Sequence, residues 1–323
     1  MSHRSFLAGA ALLSITLLCG DWVLYGIVQQ RAAPLRTVAS SIELSDTQGE
    51  PSFPDVEGAT STSMLTAGTT TTAILHEPPI AFLRRVTGDP VLVPGERSLH
   101  VPILMYHRIR QMQPWFTSKD RQFTVTPEDF TAQMEGLVAA GYTTISPRDL
   151  EGAIEGKMPL PTKSVLLTFD DGYREHATVV LPILRRLHLH ATYFIVSQAY
   201  HFHGYMTSDM IREADATGLI TIADHTRHHV FLARMTAAHR ASEIVGSKEE
   251  LETLLGHSVS DFAYPYGSWN TDVAHEVEHA GYVLGFGIRL GSVHTSSSRY
   301  QLRRIRVLDG ENVVSLLDAF SRP

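Results

Sequence analysis

The sequence predicts an α/β domain built as a closed barrel of seven or eight parallel strands, preceded by an N-terminal hydrophobic anchor and a flexible linker. Three observations lead there. Apolar runs alternate with amphipathic segments from Val101 to the end of the chain. Seven or eight strand-then-helix units fit between residues 99 and 323, a count that favours a closed barrel over an open sheet. Four unusual polar clusters each follow a predicted strand directly, the position at which a parallel barrel gathers residues on one rim.

The strands are expected at Val101 to Tyr106, Tyr142 to Ile145, Ser164 to Phe169, Ala191 to Val196, Leu219 to Ala223, Asp261 to Tyr264, Val283 to Phe286 and Leu302 to Val307. Helices fall between most of them. Thr126-Pro127-Glu128-Asp129 combines a capping hydroxyl, a first-turn proline and early acids. The stretch Lys248 to Leu255 reads as a helix end stopped by Gly256. No fixed-period repeat interrupts the pattern.

Ahead of this domain the chain has a different character. Phe6 to Val28 is apolar apart from Asp21, and at about 1.5 Å per residue it is long enough to cross a hydrocarbon core. Residues 1–30 are therefore expected to anchor the protein in a membrane, with signal-peptide cleavage as the alternative. Arg4 lies before the segment and Arg31 and Arg36 after it, so flanking charge does not fix its orientation. Residues 31–98 read as a linker or stalk, because the Ser/Thr-rich stretch Ala59 to Ala73 carries too little apolar surface to order itself.

Composition narrows the chemistry. Apolar residues make up 43% of the 323, enough for a large core, and the formal net charge of -7 argues against a nucleic-acid partner. The single cysteine, Cys19, excludes an intrachain disulfide and a cysteine-built zinc site. A bound metal must be held by histidine and carboxylate.

The four rim clusters are Tyr106-His107, Asp170-Asp171, His225-Thr-Arg-His-His229 and Tyr264-Pro-Tyr-Gly267. Two adjacent carboxylates disfavour each other's ionisation unless a cation, a proton or hydrogen bonds compensate. Helix capping is one reading of the pair. With 17 histidines in the chain, a pair four residues apart arises by chance, and His275 with His279 reads as the solvated face of a helix. His225 and His229 instead follow a strand onto the rim that carries the acids. Two histidines and one carboxylate, with a position left open, form a catalytic metal set, and the second Asp can then serve as a base. His228, between them in sequence, would point elsewhere if the turn is helical.

In this order, Thr168-Phe-Asp-Asp-Gly-Tyr173, His225-Thr-x-x-His229 and Phe262-Ala-Tyr-Pro-Tyr-Gly267 resemble the polysaccharide deacetylases of carbohydrate esterase family four, whose domain is of the NodB type. The resemblance covers about Val101 to Leu308. Met105-Tyr-His-Arg108 brings it nearest the branch of poly-N-acetylglucosamine deacetylases. It implies a distorted (β/α) barrel that removes N- or O-acetyl groups from a glycan by means of metal-bound water. By motif, Asp171, His225 and His229 would hold a divalent metal, expected to be zinc with cobalt, nickel or iron as alternatives. Asp170 would be the general base, and the backbone N–H of Tyr266 would face the oxyanion.

The departures are specific. Ala263 stands where the family has a base-orienting Arg, no histidine follows His294 to act as general acid, and a motif tryptophan after Gly281 is missing, with Phe286 the nearest aromatic. His107 is expected to protonate the leaving amine, and Arg304 to orient Asp170. A core histidine and a surface arginine are their plain alternatives. Trp115, Phe116, Tyr173, Tyr200, Phe202, Tyr205 and Trp269 are available to line a sugar cleft. The expected activity is metal-dependent removal of acetyl groups, foremost N-acetyl groups, from a cell-surface or extracellular polysaccharide by an extracytoplasmic enzyme. A carbohydrate-binding pseudoenzyme and a deacylase of a non-glycan amide or ester are the competing readings.

Overall fold

Alternation along the strands sets the architecture. A computed structural model describes residues 95–320; the expected anchor and nearly all of the expected linker lie outside them. The strands in chain order are β1 (Ser98–His100), β2 (Ile103–Tyr106), β3 (Arg108–Ile109), β4 (Thr124–Val125), β5 (Thr143–Thr144), β6 (Ser164–Phe169), β7 (Ala191–Ile195), β8 (Ile220–Asp224), β9 (Asp261–Ala263), β10 (Leu284–Phe286), β11 (Val293–Thr295) and β12 (Ile305–Arg306). Seven of them form a curved parallel sheet in the order β10-β9-β8-β7-β6-β2-β12, with β5 pairing the start of β6. At one edge Leu302, just before β12, bridges Phe286 of β10, while β12 itself pairs with β2. The segment 302–306 thus hydrogen-bonds to both edges of the half-barrel.

Successive residues of a strand face opposite sides, and here both sides are apolar. Ile103, Leu166, Phe194, Ala223, Leu284 and Phe286 fill the interior. Their sequence neighbours Leu104, Leu167, Tyr193 and Ile222 pack outward against the helices. A sheet covered on both faces explains why β6 is a continuous buried run, SVLLTF, without polar alternation. On the outer side Tyr106, Phe130 and Phe169 make edge and stacked contacts at 5.2 to 5.7 Å between centroids, in the range where aromatic pairs add to simple burial.

Local signals position the covering helices. Thr126 caps Pro127–Ala139 by accepting from the Asp129 N–H. The helix Ala237–Leu255 ends at Gly256, whose φ of 78° is left-handed and costs a glycine little. Among the described residues no helix is long and apolar enough to cross a membrane.

Candidate active site

The parallel strands deliver their C-terminal ends to one rim. His107 follows β2, Asp170 and Asp171 follow β6, His225 follows β8, and the loop Pro265–Gly267 follows β9. Asp171 and Gly172 both take left-handed φ, 77° and 72°. Glycine does this freely and aspartate more readily than most side chains, so the Asp-Gly pair turns the chain sharply at the strand end.

Asp170 is buried and held by Arg304, with Nη1 at 2.6 Å from Oδ1 and Nη2 at 2.8 Å from Oδ2. The same guanidinium donates to the Gly287 carbonyl and the Thr168 hydroxyl. Arg304 is thus an interior residue and not a surface arginine. Burial alone would push the Asp170 carboxyl up, but Arg304, His107 and His225 together outweigh it and hold the carboxyl below the usual value. His107 Nε2 lies 3.8 Å from Asp170 Oδ2. Its ring packs edge-on against Phe123 at 4.7 Å, and its carbonyl accepts from His176 Nε2 at 2.6 Å. Burial pulls the His107 imidazole down to about 4, against the opposing pull of Asp170 and Asp171.

Asp171, His225 and His229 come together beside Asp170, with one donor atom of each within 4.8 Å of the others. His225 Nε2 and His229 Nε2 approach Asp171 Oδ1 at 3.4 and 3.2 Å. His225 Nδ1 donates to the Ala263 carbonyl at 2.8 Å, which leaves the Nε2 lone pair facing the carboxylate. Asp171 Oδ1 is buried and has no hydrogen-bond partner. A buried carboxylate oxygen without a donor, flanked by two imidazole nitrogens, is costly by itself and is the donor set of a divalent cation site. The residues therefore fit such an ion.

The loop from His225 to His229 is not a helical turn. Thr226 and His229 have φ of 66° and 54°, and the conformation is fixed from beneath by Asp224. That buried carboxylate accepts from the Thr226 N–H at 2.7 Å, the Ser247 hydroxyl and the Tyr282 hydroxyl. Thr226 Oγ1 in turn accepts from the His229 N–H. His228 points away as expected, but for a different reason: its backbone N–H and Nδ1 both bind Glu243, at 2.8 and 2.7 Å. Asp224, Glu243, Phe123 and His176 are site-supporting residues that sequence reading did not single out.

The Tyr266 side chain stacks on Phe231 at 3.9 Å and meets His229 edge-on at 4.5 Å, and its φ is 58°. Of the aromatics expected near a cleft, Tyr173 and Tyr205 stack on each other, Trp269 leans on Tyr264, and Trp115 is 73% exposed. His275 and His279 lie exposed on their helix, outside the site.

The chain is similar to known deacetylases. Residues 157–285 match the family model described as polysaccharide deacetylase. YxkH of Bacillus subtilis is 28% identical over 215 residues, covering 67% of this chain and 74% of its own. The poly-beta-1,6-N-acetyl-D-glucosamine N-deacetylase of Staphylococcus epidermidis is 25% identical over 240 residues, covering 67% and 83%. Among solved structures, the Streptococcus pyogenes deacetylase PplD, in complex with acetate, superimposes with a TM-score of 0.65 at 26% identity, over 70% of this chain and 100% of that one.

Proposed function

We propose that this chain, which carries a polysaccharide deacetylase domain over residues 157–285, hydrolyses acetyl groups, foremost N-acetyl groups, from an extracellular or cell-surface polysaccharide. One observation carries the reading: the partnerless Asp171 Oδ1 between two imidazole nitrogens, on the rim where Asp170 is held ionised. A divalent cation held by Asp171, His225 and His229, zinc by preference with cobalt, nickel or iron as alternatives, supplies Lewis acidity toward the acetamide carbonyl when bound.

The protein's own groups account for the proton movements. Asp170, kept charged by Arg304, takes a proton from the attacking water as general base. In this reading the proton passes from Asp170 to His107, whose Nε2 lies 3.8 Å from Asp170 Oδ2. His107 then gives it to the departing amine, and the products are acetate and a free amino sugar. The backbone N–H of Tyr266 donates to the oxyanion, and its left-handed φ sets the direction of that loop. Arg304 takes the base-orienting place left vacant by Ala263.

In this reading residues 1–30 anchor the enzyme in a membrane with the catalytic domain on the extracytoplasmic side, where an acetylated polysaccharide is within reach. A reporter fused to the C-terminus that reads cytoplasmic would overturn that placement.

The test of the activity is acetate release from N-acetylglucosamine oligomers by the full chain in detergent, with and without a chelator, beside Asp170→Asn and His107→Ala. Chelator-sensitive release, abolished by Asp170→Asn and strongly reduced by His107→Ala, is expected. No release from the folded, zinc-loaded protein, on glycans or acetyl esters, would sink the reading in favour of a binding protein or a different amide.

A further inference from the structure

The β12 segment presents two arginines to the site, and among the described residues only Arg304 forms an ion pair. Leu302 lies in the interior core, Arg304 reaches inward to Asp170, and Ile305 belongs to the outer core. Alternation brings Arg306 back to the inward side, one step nearer the mouth. Its pairing with Met105 sets it beside the chain entering His107. The guanidinium carbon sits 4.4 Å over the ring of Phe123, the same ring that packs against His107. One aromatic side chain therefore holds Arg306 and His107 together.

Arg306 is half-buried, and its Nε is buried without a hydrogen-bond partner. Arg110, stacked on Phe116 nearby in sequence, has a partnerless Nε as well. Arg108, on β3, pairs with Glu175 at 2.6 Å, and both oxygens of Asp170 are engaged by Arg304. Among the described residues neither Arg110 nor Arg306 forms an ion pair. Burial, Asp170 and Arg304 all act on the Arg306 charge, which places it within electrostatic reach of the site. A partly desolvated guanidinium without a counter-ion is unfavourable, and it is the group best shaped to accept a carboxylate.

We propose that Arg306 determines specificity, binding a carboxylate on the sugar under attack or on its neighbour, so that the site prefers acidic N-acetylated glycans to neutral ones. This rests on the deacetylase reading above. The carboxylate belongs to the substrate polymer, since the scissile acetamide itself is neutral.

The full chain is assayed on two probes, an N-acetylglucosamine oligomer and the same oligomer with its primary hydroxyls oxidised to carboxylates. Wild type is expected to favour the acidic probe in kcat/KM by about tenfold or more, chiefly through KM, with the preference shrinking as salt is raised. Arg306→Met should bring the ratio to about one, and Arg306→Lys should restore part of it. Arg306→Gln serves the same purpose if the Met variant misfolds. Equal kcat/KM for the two probes in wild type, or an undiminished preference in the folded variant, overturns the proposal. If wild type deacetylates neither probe, the deacetylase reading fails separately, and calorimetric binding of the same probes decides. Tighter binding of the acidic probe that Arg306→Met abolishes supports the role, and equal binding refutes it.

Discussion

Arg304 grips both carboxylate oxygens of Asp170, at 2.6 and 2.8 Å, across 134 residues of sequence. The fork matches the carboxylate plane, and the Nε bond to the Gly287 carbonyl at 2.8 Å leaves the guanidinium little freedom to rotate. Position 263, on β9, contributes a small side chain and a carbonyl that fixes His225. The cation beside Asp170 thus comes from the residue just before β12 and not from β9.

Removing that cation should strand a buried carboxylate. Arg304→Met is expected to destabilise the fold by about 3–5 kcal/mol, to raise the Asp170 pKa, and to move the acid limb of the pH–rate profile upward. Arg304→Lys, which offers a point charge in place of a fork, should fall between. Denaturant unfolding and pH–rate profiles check both parts. An acid limb that does not move in Arg304→Met would remove Arg304 from the positioning of the base.

Metal addition gives a test independent of turnover. Zinc should raise the melting temperature of the full chain, because binding to the folded state alone stabilises it by mass action. Asp171→Asn should lose most of that rise, measured on protein shown to be folded. An equal zinc-induced shift in the variant would place the ion elsewhere.

Much of this was legible in the sequence because the determinants are local. The continuous run SVLLTF reads as a strand covered on both faces, Thr126 and Gly256 mark helix ends through their own backbone chemistry, and the acid pair and the histidines follow strands directly. What escaped depends on tertiary contact. In Leu302-Arg-Arg-Ile-Arg-Val307 the sequence points to Arg304 as the partner of Asp170, but nothing local tells that Arg306 turns inward as well, and the paired strand is only two residues long. The π-helical turn His176–Val180, which carries His176 beneath His107, has no recognised sequence signature. The antiparallel pairing of β1 with β11 joins three-residue strands almost 200 positions apart, too short for periodicity to show.

Asp224 supplies the support on which the loop from His225 to His229 rests. Asp224→Ala frees the Thr226 N–H and the hydroxyls of Ser247 and Tyr282, and removes the brace that holds two left-handed residues in place. Metal affinity should fall by about 10–100-fold, measured by competition with a chromophoric chelator on protein shown to be folded. Affinity equal to wild type would mean the loop is held by Thr226 and Glu243 alone. Gly267→Ala tests the neighbouring loop. At a φ of 64° with Ile288 against the added methyl, it should cost about 1–3 kcal/mol and displace Tyr266.

Acid should weaken the fold through histidines that are buried neutral. His294 donates Nε2–H to the Val101 carbonyl at 2.9 Å, while its Nδ1 is buried without a partner. Burial pulls its pKa from 6.5 to about 4. Between those values the unfolded chain takes up a proton that the folded chain refuses, so the stability is complete above pH 6.5 and is lost as the pH falls toward 4. The loss from this residue is on the order of 3 kcal/mol or less across the window. His107, displaced in the same direction, adds to it with the same sign. His294→Gln keeps a donor for Val101 and cannot titrate, so urea unfolding between these two pH values should show a shallower decline than wild type. A decline of unchanged steepness would mean that His294 is protonated in the folded state, with a partner for its second nitrogen.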